Sequence, residues 1–378
     1  LPSNWVLSIL SCVYRIKANH IVSFGGFPYI CDMKTEVHTF KLNLDWELIR
    51  HISQIDRFDA SWTTIEKKEG QSLKQLKSIA TVRSVGASTR IEGSLMSDEE
   101  VEVLLRDIDV TKIIDRDSQE VVGYFETMDL ISGSYDDIEI SENSIKNLHN
   151  ILLKYSEKDK WHKGDYKQHS NAVQAKLPDG TTQLIFETTP PGFHTQDAMR
   201  QLIDWYKQDK ETHPLVKCAL FAYDFVSIHP FQDGNGRLSR LLSTLLLMKY
   251  GYKWIQYVSF EHEIENRKTE YYNVLRSCQA QRPNEDVTKW IRFFFDALAN
   301  IQDQLMKKLD KQGIEARLAP REKSIITFIE NHPGCKSGDV AKKLGIPSPT
   351  VKRILPDLIE KNLIEKHGSG PGTNYTVK

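Results

Sequence analysis

Two strongly apolar stretches, Pro214 to Ile228 and Leu238 to Met248, read as helices, and residues 229–237 are all that separates them. Pro230 ends the first stretch, because a proline ring removes a backbone donor and clashes with the preceding turn. Gly234 and Gly236 are expected to give the intervening backbone positive φ, after which Arg237 opens the second helix. A glycine-rich turn that enters a helix points backbone N–H groups outward, and the helix N-terminus carries partial positive charge. The combination is an anion-binding nest suited to phosphates.

The side chains around this nest are those a phosphoryl or nucleotidyl transfer site needs. Asp233 is a hard carboxylate at its mouth, suited to Mg²⁺, which takes one or two carboxylates together with phosphate oxygens. Arg237 and Arg240 are three apart, on one helix face, and their guanidinium forks match phosphate oxygens. His229 lies on the other side of the loop, and an imidazole can accept a proton from an attacking hydroxyl near neutral pH. A lone His-Pro or Gly-Asn-Gly is usually a turn, and two arginines on a helix are usually a solvated face. It is their joint occurrence within one short run that points to a site.

The rest of the chain supplies a mainly helical frame. From Leu44 onward the pattern is helical, with Leu73, Leu76, Ile79 and Val82 forming an apolar stripe. Ser97 to Asp107 opens with a capping box of Ser97 and Glu100. Helices are expected over Ser118–Gly133 and Ser141–Ser156, and again from Gln196 to about Lys311. Between them, Val173 and Leu184-Ile185-Phe186 flank a Pro-Asp-Gly turn and read as a β-hairpin. After a composition break at Gly313–Pro320 come helices over Glu322–Asn331, Ser337–Leu344 and Ser348–Asn362, then two short β segments. That order is a winged helix-turn-helix. There is no internal repeat and no low-complexity tract.

Bulk properties narrow the partners. A net charge of −1 over 378 residues gives no overall field toward nucleic acid or an acidic membrane surface. Any electrostatic partner must be recruited by a local patch. Cys12, Cys31, Cys218, Cys278 and Cys335 are scattered and odd in number, which reads as reduced thiols in a cytoplasmic protein without a metal cluster. The apolar run Trp5 to Tyr14 is about half of the roughly 20 residues a spanning helix needs, so no membrane is expected. Arg15 and Lys17 follow that run, where a signal peptide would have basic residues before it. Residues 1–32 precede a Met33 that reads as an ordinary start, and are expected to be an upstream extension.

The run His229-Pro-Phe-Gln-Asp-Gly-Asn-Gly-Arg-Leu-Ser-Arg240 resembles the signature of the Fic family, with every fixed position filled, and the likeness extends from about Asn43 to Ala297. The resemblance implies an all-α Fic core with a small β-hairpin flap, in which a target hydroxyl attacks the α-phosphate of ATP. His229 would be the catalytic base and Asp233 the Mg²⁺ ligand. Gly234, Asn235 and Gly236 would cradle phosphates, Arg237 and Arg240 would bind the outer ones, and Phe231 would anchor the loop by burial. Ser88-Thr-Arg-Ile-Glu92-Gly93 resembles the family's inhibitory pattern, with Glu92 pairing Arg240 in place of the γ-phosphate. Tyr271 and Gln279 would line the base pocket. Residues Ile185, Phe186, Glu187, Thr188 and Thr189 resemble the flap that docks a target strand, and Lys167 stands where relatives commonly have Arg.

These likenesses imply an inhibitory helical region over 33–117, a catalytic core over 118–312 and a winged helix over 321–378. In the last, Ser348, Thr350, Lys352 and Arg353 are the candidates for contacting DNA, with a plain protein-interaction module as the open alternative, while Pro356 is expected to kink or strain its helix. That span carries ten Lys and Arg against six Asp and Glu. The leading reading is a protein adenylyltransferase, with self-modification and a homodimer left open. The rivals are a DNA-binding regulator whose core senses nucleotide, and a Fic enzyme that removes AMP or transfers another phosphate-containing group.

Overall fold

The computed structural model describes residues 40–109, 113–171, 173–176 and 182–378. The stretch 1–32, with Cys12 and Cys31, and the Pro-Asp-Gly turn lie outside the described residues. The chain divides into two compact units, one formed by residues up to 67 together with 73–302, the other by 68–72 together with 303–378.

The first unit is built from α1 (Trp46–Lys68), α2 (Gly70–Ile91), α3 (Asp98–Arg106), α4 (Arg116–Ser134) and α5 (Glu142–Leu152). An antiparallel hairpin follows, β1 (Val173–Lys176) and β2 (Thr182–Phe186). Then come α6 (Phe193–Gln208), α7 (Pro214–Ile228), α8 (Asn235–Lys249), α9 (Phe260–Asn266), α10 (Lys268–Gln279) and the start of α11 (Thr288–Arg317). At the centre lie α7 and α8. Leu238, Leu241, Leu242, Leu245, Leu246 and Leu247 have no solvent exposure, and α7 is buried at nearly every position. A helix apolar all round can be stable only when enclosed by others. Each such leucine contributes about 1.5–3 kcal/mol.

The second unit holds α12 (Pro320–Asn331), α13 (Ser337–Leu344), α14 (Ser348–Glu360) and an antiparallel pair, β3 (Ile364–His367) and β4 (Asn374–Val377). Its own core is Ile325, Ile329, Val340, Val351, Leu355, Leu358, Ile364 and their neighbours. The mainly α architecture with a hairpin and a winged helix-turn-helix is the one the sequence pattern predicts. Among the described residues, no helix is long and apolar enough to cross a membrane.

Several local expectations change. Ile79 is exposed, and Ala80 takes its place in the stripe that continues through Ala87 and Ile91. A spacing of three falls short of the 3.6-residue turn, so a stripe written that way rotates off the buried face. Helix α5 stops at Leu152 rather than Ser156, α6 starts at Phe193, and α11 continues past Lys311 to Arg317. Helix α14 stops at Glu360 rather than Asn362, with Pro356 inside it on the exposed side.

One glycine sets a helix crossing. A Cβ built on Gly123 of α4 would stand 2.1 Å from the carbonyl oxygen of Leu152, at the end of α5. That neighbour is backbone and cannot step aside. Gly123→Ala is therefore expected to force α4 and α5 apart, at the roughly 1–3 kcal/mol typical of overpacking. Thermal denaturation would register this as a lower midpoint, whereas an unchanged midpoint would mean that the crossing is looser than its distances imply.

Candidate active site

The loop between α7 and α8 is closed by its own side chains. His229 caps α7 in the left-handed region, at φ 54° and ψ 59°. Gly234 is the second left-handed residue, at φ 80°. Asn235 completes the turn: its Oδ1 accepts from the Phe231 amide at 2.9 Å, and its Nδ2 donates to the Phe231 carbonyl at 2.7 Å. This reciprocal pair lets α8 begin at Asn235, so Gly236 is helical rather than at the positive φ expected of it, and Arg237 lies within the first turn. Gly236 instead leaves room for the Glu92 carboxylate, which a side chain there would push aside. A Cβ there would meet the Glu92 Oε1 at 2.4 Å.

Phe231 is fully buried, as expected of a loop anchor, and stacks on His149 at 3.8 Å between ring centroids. His149 was not singled out by the sequence. On α5 it sits among Ile145, Leu148 and Leu152, a position that reads as core. Its Nδ1 accepts the Gly164 amide at 2.9 Å, so Nε2 carries the proton and donates to the Asp233 carbonyl at 2.9 Å.

The His229 Nδ1 lies 3.1 Å from the Val226 carbonyl, which can only accept. The ring proton is therefore on Nδ1, and the lone pair is on Nε2. Burial pushes the imidazole down to about 4, so it is neutral near pH 7, with Nε2 unprotonated.

Two ion clusters flank the loop. Arg240, almost fully buried on α8, donates to the Ser88 hydroxyl at 2.8 Å, to the Ser88 carbonyl at 3.0 Å and to Glu92 at 2.8 Å. Burial opposes ionisation of Glu92, yet Arg240 and Arg237 hold its carboxyl below the usual range. Gly93 ends this segment at φ 104°, where a side chain would be strained.

Arg237, also buried, faces Asp233 at 3.2 Å and Glu120 at 3.3 Å. Asp233 in turn meets the Lys158 ammonium at 2.8 Å and the Gly234 amide. Although burial works against it, its charge is held far below the usual carboxylate range by Arg237 and Lys158. Glu120 and Lys158 were not expected from the sequence, being a helix-face carboxylate and a loop lysine without a motif around them.

Among the described residues, no group of three His, Cys, Asp or Glu side chains could hold a metal. Asp233 alone, ionised and part-exposed, fits a Mg²⁺ that takes its other oxygens from phosphate and water.

Comparison with known proteins finds two family matches. Residues 139–247 match the Fic/DOC family and residues 318–372 match the MarR family. This chain carries a Fic domain.

Among curated relatives, "Protein adenylyltransferase Fic" of Drosophila willistoni is 27% identical over 67% of this chain and 47% of its own length. The Drosophila virilis protein of that name is 26% identical over 80% of this chain and 55% of its own. The chain thus spans about half the length of these relatives. A Fic family protein from Desulfovibrio desulfuricans shares the fold, with TM-score 0.59 and 22% identity over 90% of this chain and 98% of that one. A Fic-domain signalling protein from Bacteroides thetaiotaomicron does so with TM-score 0.56, 22% identity and coverage of 68% and 97%.

The remaining candidates fall at different distances from the Fic loop. Tyr271, buried on α10, feels both the Arg240 and the Glu92 charges. Gln279, farther along α10, is committed to the Ser227 hydroxyl at 2.9 Å. At the end of the flap, Thr188 reaches Lys167 and Asn171, while Glu187 is exposed. Within the winged-helix unit, Ser348, Lys352 and Arg353 are exposed on α14 and Thr350 is half-buried.

The Fic-domain loop should be acid-sensitive. Burial holds His149 and His229 each near 4, against an ordinary 6.5. Unfolding lets both take up protons, so their contribution to stability is complete above about pH 6.5 and is lost as pH falls through about 4. We expect the thermal midpoint to drop across that window. His149→Phe keeps the stacked ring but cannot titrate, and should show a shallower drop; an equally steep one would assign the loss to other groups.

Proposed function

We propose that the Fic domain transfers AMP from ATP to a hydroxyl side chain of a target protein, and that Glu92 restrains it. The observation that carries this reading is the His229 imidazole, its proton fixed on Nδ1 by the Val226 carbonyl, at the edge of a turn that enters α8 through the left-handed Gly234. Amides at the start of α8 suit phosphate oxygens. The hydroxyl proton passes to the His229 Nε2 as the oxygen bonds to the α-phosphorus, and the bond to pyrophosphate breaks. Asp233 would hold Mg²⁺, which supplies charge neutralisation on the phosphates. Tyr271 is suited to the base pocket, and Gln279 is the weaker candidate because Ser227 already holds its amide.

Restraint follows from Arg240. Its guanidinium is occupied by Ser88 and Glu92, so a γ-phosphate would have to displace Glu92 to reach it. The Glu92 Oε1 also lies against Gly236, at the start of α8. Removing AMP from a target, a chemistry open to a carboxylate at this position, is the rival within the same site. The compartment we favour is the cytoplasm, with Cys218, Cys278 and Cys335 as free, buried thiols.

The test is transfer of label from α-³²P-ATP with Mg²⁺ to the protein itself and to a lysate. A hydrogen bond to a charged group is worth about 1.5–3 kcal/mol. Freeing Arg240 in Glu92→Gly should therefore raise transfer about 10–100-fold. Adding His229→Ala should then lower it about 10²–10⁴-fold while ATP still binds. No label from Glu92→Gly would favour a nucleotide sensor, and full activity without His229 would remove the imidazole as base.

A second reading concerns the C-terminal unit alone. The MarR-family match and the exposed Lys352 and Arg353 on α14 favour contact with DNA phosphates. Replacing either by Ala should weaken duplex binding across sequences and lower the salt slope by about 1. Binding with an unaltered slope would exclude α14 as the contacting helix.

A further inference from the structure

Lys167 is an unusual residue to find inside the Fic domain. Its side chain is 2% exposed, and no carboxylate pairs with it among the described residues. The Nζ makes three hydrogen bonds to neutral oxygens: Asn171 Oδ1 at 2.8 Å, Thr188 Oγ1 at 2.9 Å and the Ile228 carbonyl at 3.2 Å. Its backbone amide donates to the Pro230 carbonyl at 2.8 Å. One residue thus grips the loop immediately before and immediately after His229, and ties it to Thr188, two residues beyond β2. Asn171 reinforces the tie, with its Nδ2 on the Phe231 carbonyl at 2.6 Å and its Oδ1 accepting from Thr188 at 2.8 Å.

We propose that the Lys167 amine is the positioning group that seats the end of the flap against the loop bearing His229. The proposal rests on the transferase reading only for its purpose, which is to hold a docked target hydroxyl at a set distance from the imidazole. The partners call for three donors. Thr188 gives its only proton to Asn171 Oδ1, so it accepts from Nζ as Asn171 Oδ1 and the Ile228 carbonyl do, and the three oxygens match the three N–H donors of an ammonium.

Burial acts against that charge, bringing Lys167 down to about 7 from an ordinary 10.5. The titratable group facing it is His229, which burial keeps neutral near pH 7; Asn171 and Thr188 carry no charge.

The experiment is hydrogen–deuterium exchange on the full chain at pH 7. Peptides spanning 186–190 and 226–233 would be followed in wild type, Lys167→Met and Lys167→Arg. Met cannot donate and should exchange about tenfold faster in these segments alone, whereas Arg keeps its donors and should restore part of the protection.

Wild-type protection in Lys167→Met, or a loss spread over α7 and α8, would overturn the proposal. Because no transfer is measured, these outcomes are separate from failure of the adenylyltransferase reading, which appears as absent label from Glu92→Gly. In that background, Lys167→Met should reduce self-labelling while leaving binding of a fluorescent ATP analogue within about twofold; equal losses in both would make the lysine merely structural.

Discussion

The turn from His229 to Gly234 has to join two helices that are enclosed on almost every side. α7 and α8 pack on each other, α7 also on α6 and α11, and α8 also on α4 and α5, with nearly all of their side chains buried, so their facing ends are the part left to meet a ligand. Holding such a turn rigid takes interactions that do not depend on a ligand. The Asn235–Phe231 pair closes it from within, the His149 ring stacks beneath it, and the Asp233 carbonyl is held by the same imidazole. A loop secured this way can present amides and an imidazole without paying an ordering cost at the moment of binding.

The same burial explains why Arg240 is never free. A guanidinium at 2% exposure without an anion would cost several kcal/mol, since its lost hydration is not repaid. Some carboxylate or phosphate must therefore occupy its front. Glu92 fills that place here, and its own charge persists against burial because of Arg240 and Arg237. In the proposed function, restraint and stability are then one interaction seen from two sides. A variant that releases the arginine for a nucleotide also leaves it uncompensated until the nucleotide arrives.

Much of this was legible because it was local. The capping box at Ser97, the end of α7 at Pro230 and the hairpin strands each follow from short-range chemistry, as do the helices of the winged unit. The side chains from His229 to Arg240 share one loop and one helix, so spacing alone could group them. What the sequence did not announce is carried by long-range approach. Glu120, Lys158, His149 and Asn171 come from elements distant in the chain, and each looks ordinary in its own segment. Gly236 teaches the same lesson in reverse. A glycine was rightly suspected of special duty, but its duty is to make room for Glu92 rather than to bend the chain.

Lys167 shows how a departure at one position can alter behaviour without altering architecture. A guanidinium keeps all of its donors in one plane. An ammonium in the same place can point its three donors at the three oxygens that surround it. Buried charge is expensive unless it is hydrogen-bonded, and these oxygens offset that expense. The contacts on both sides of His229 therefore rest on one hydrogen-bonded amine, while burial keeps the imidazole between them neutral near pH 7.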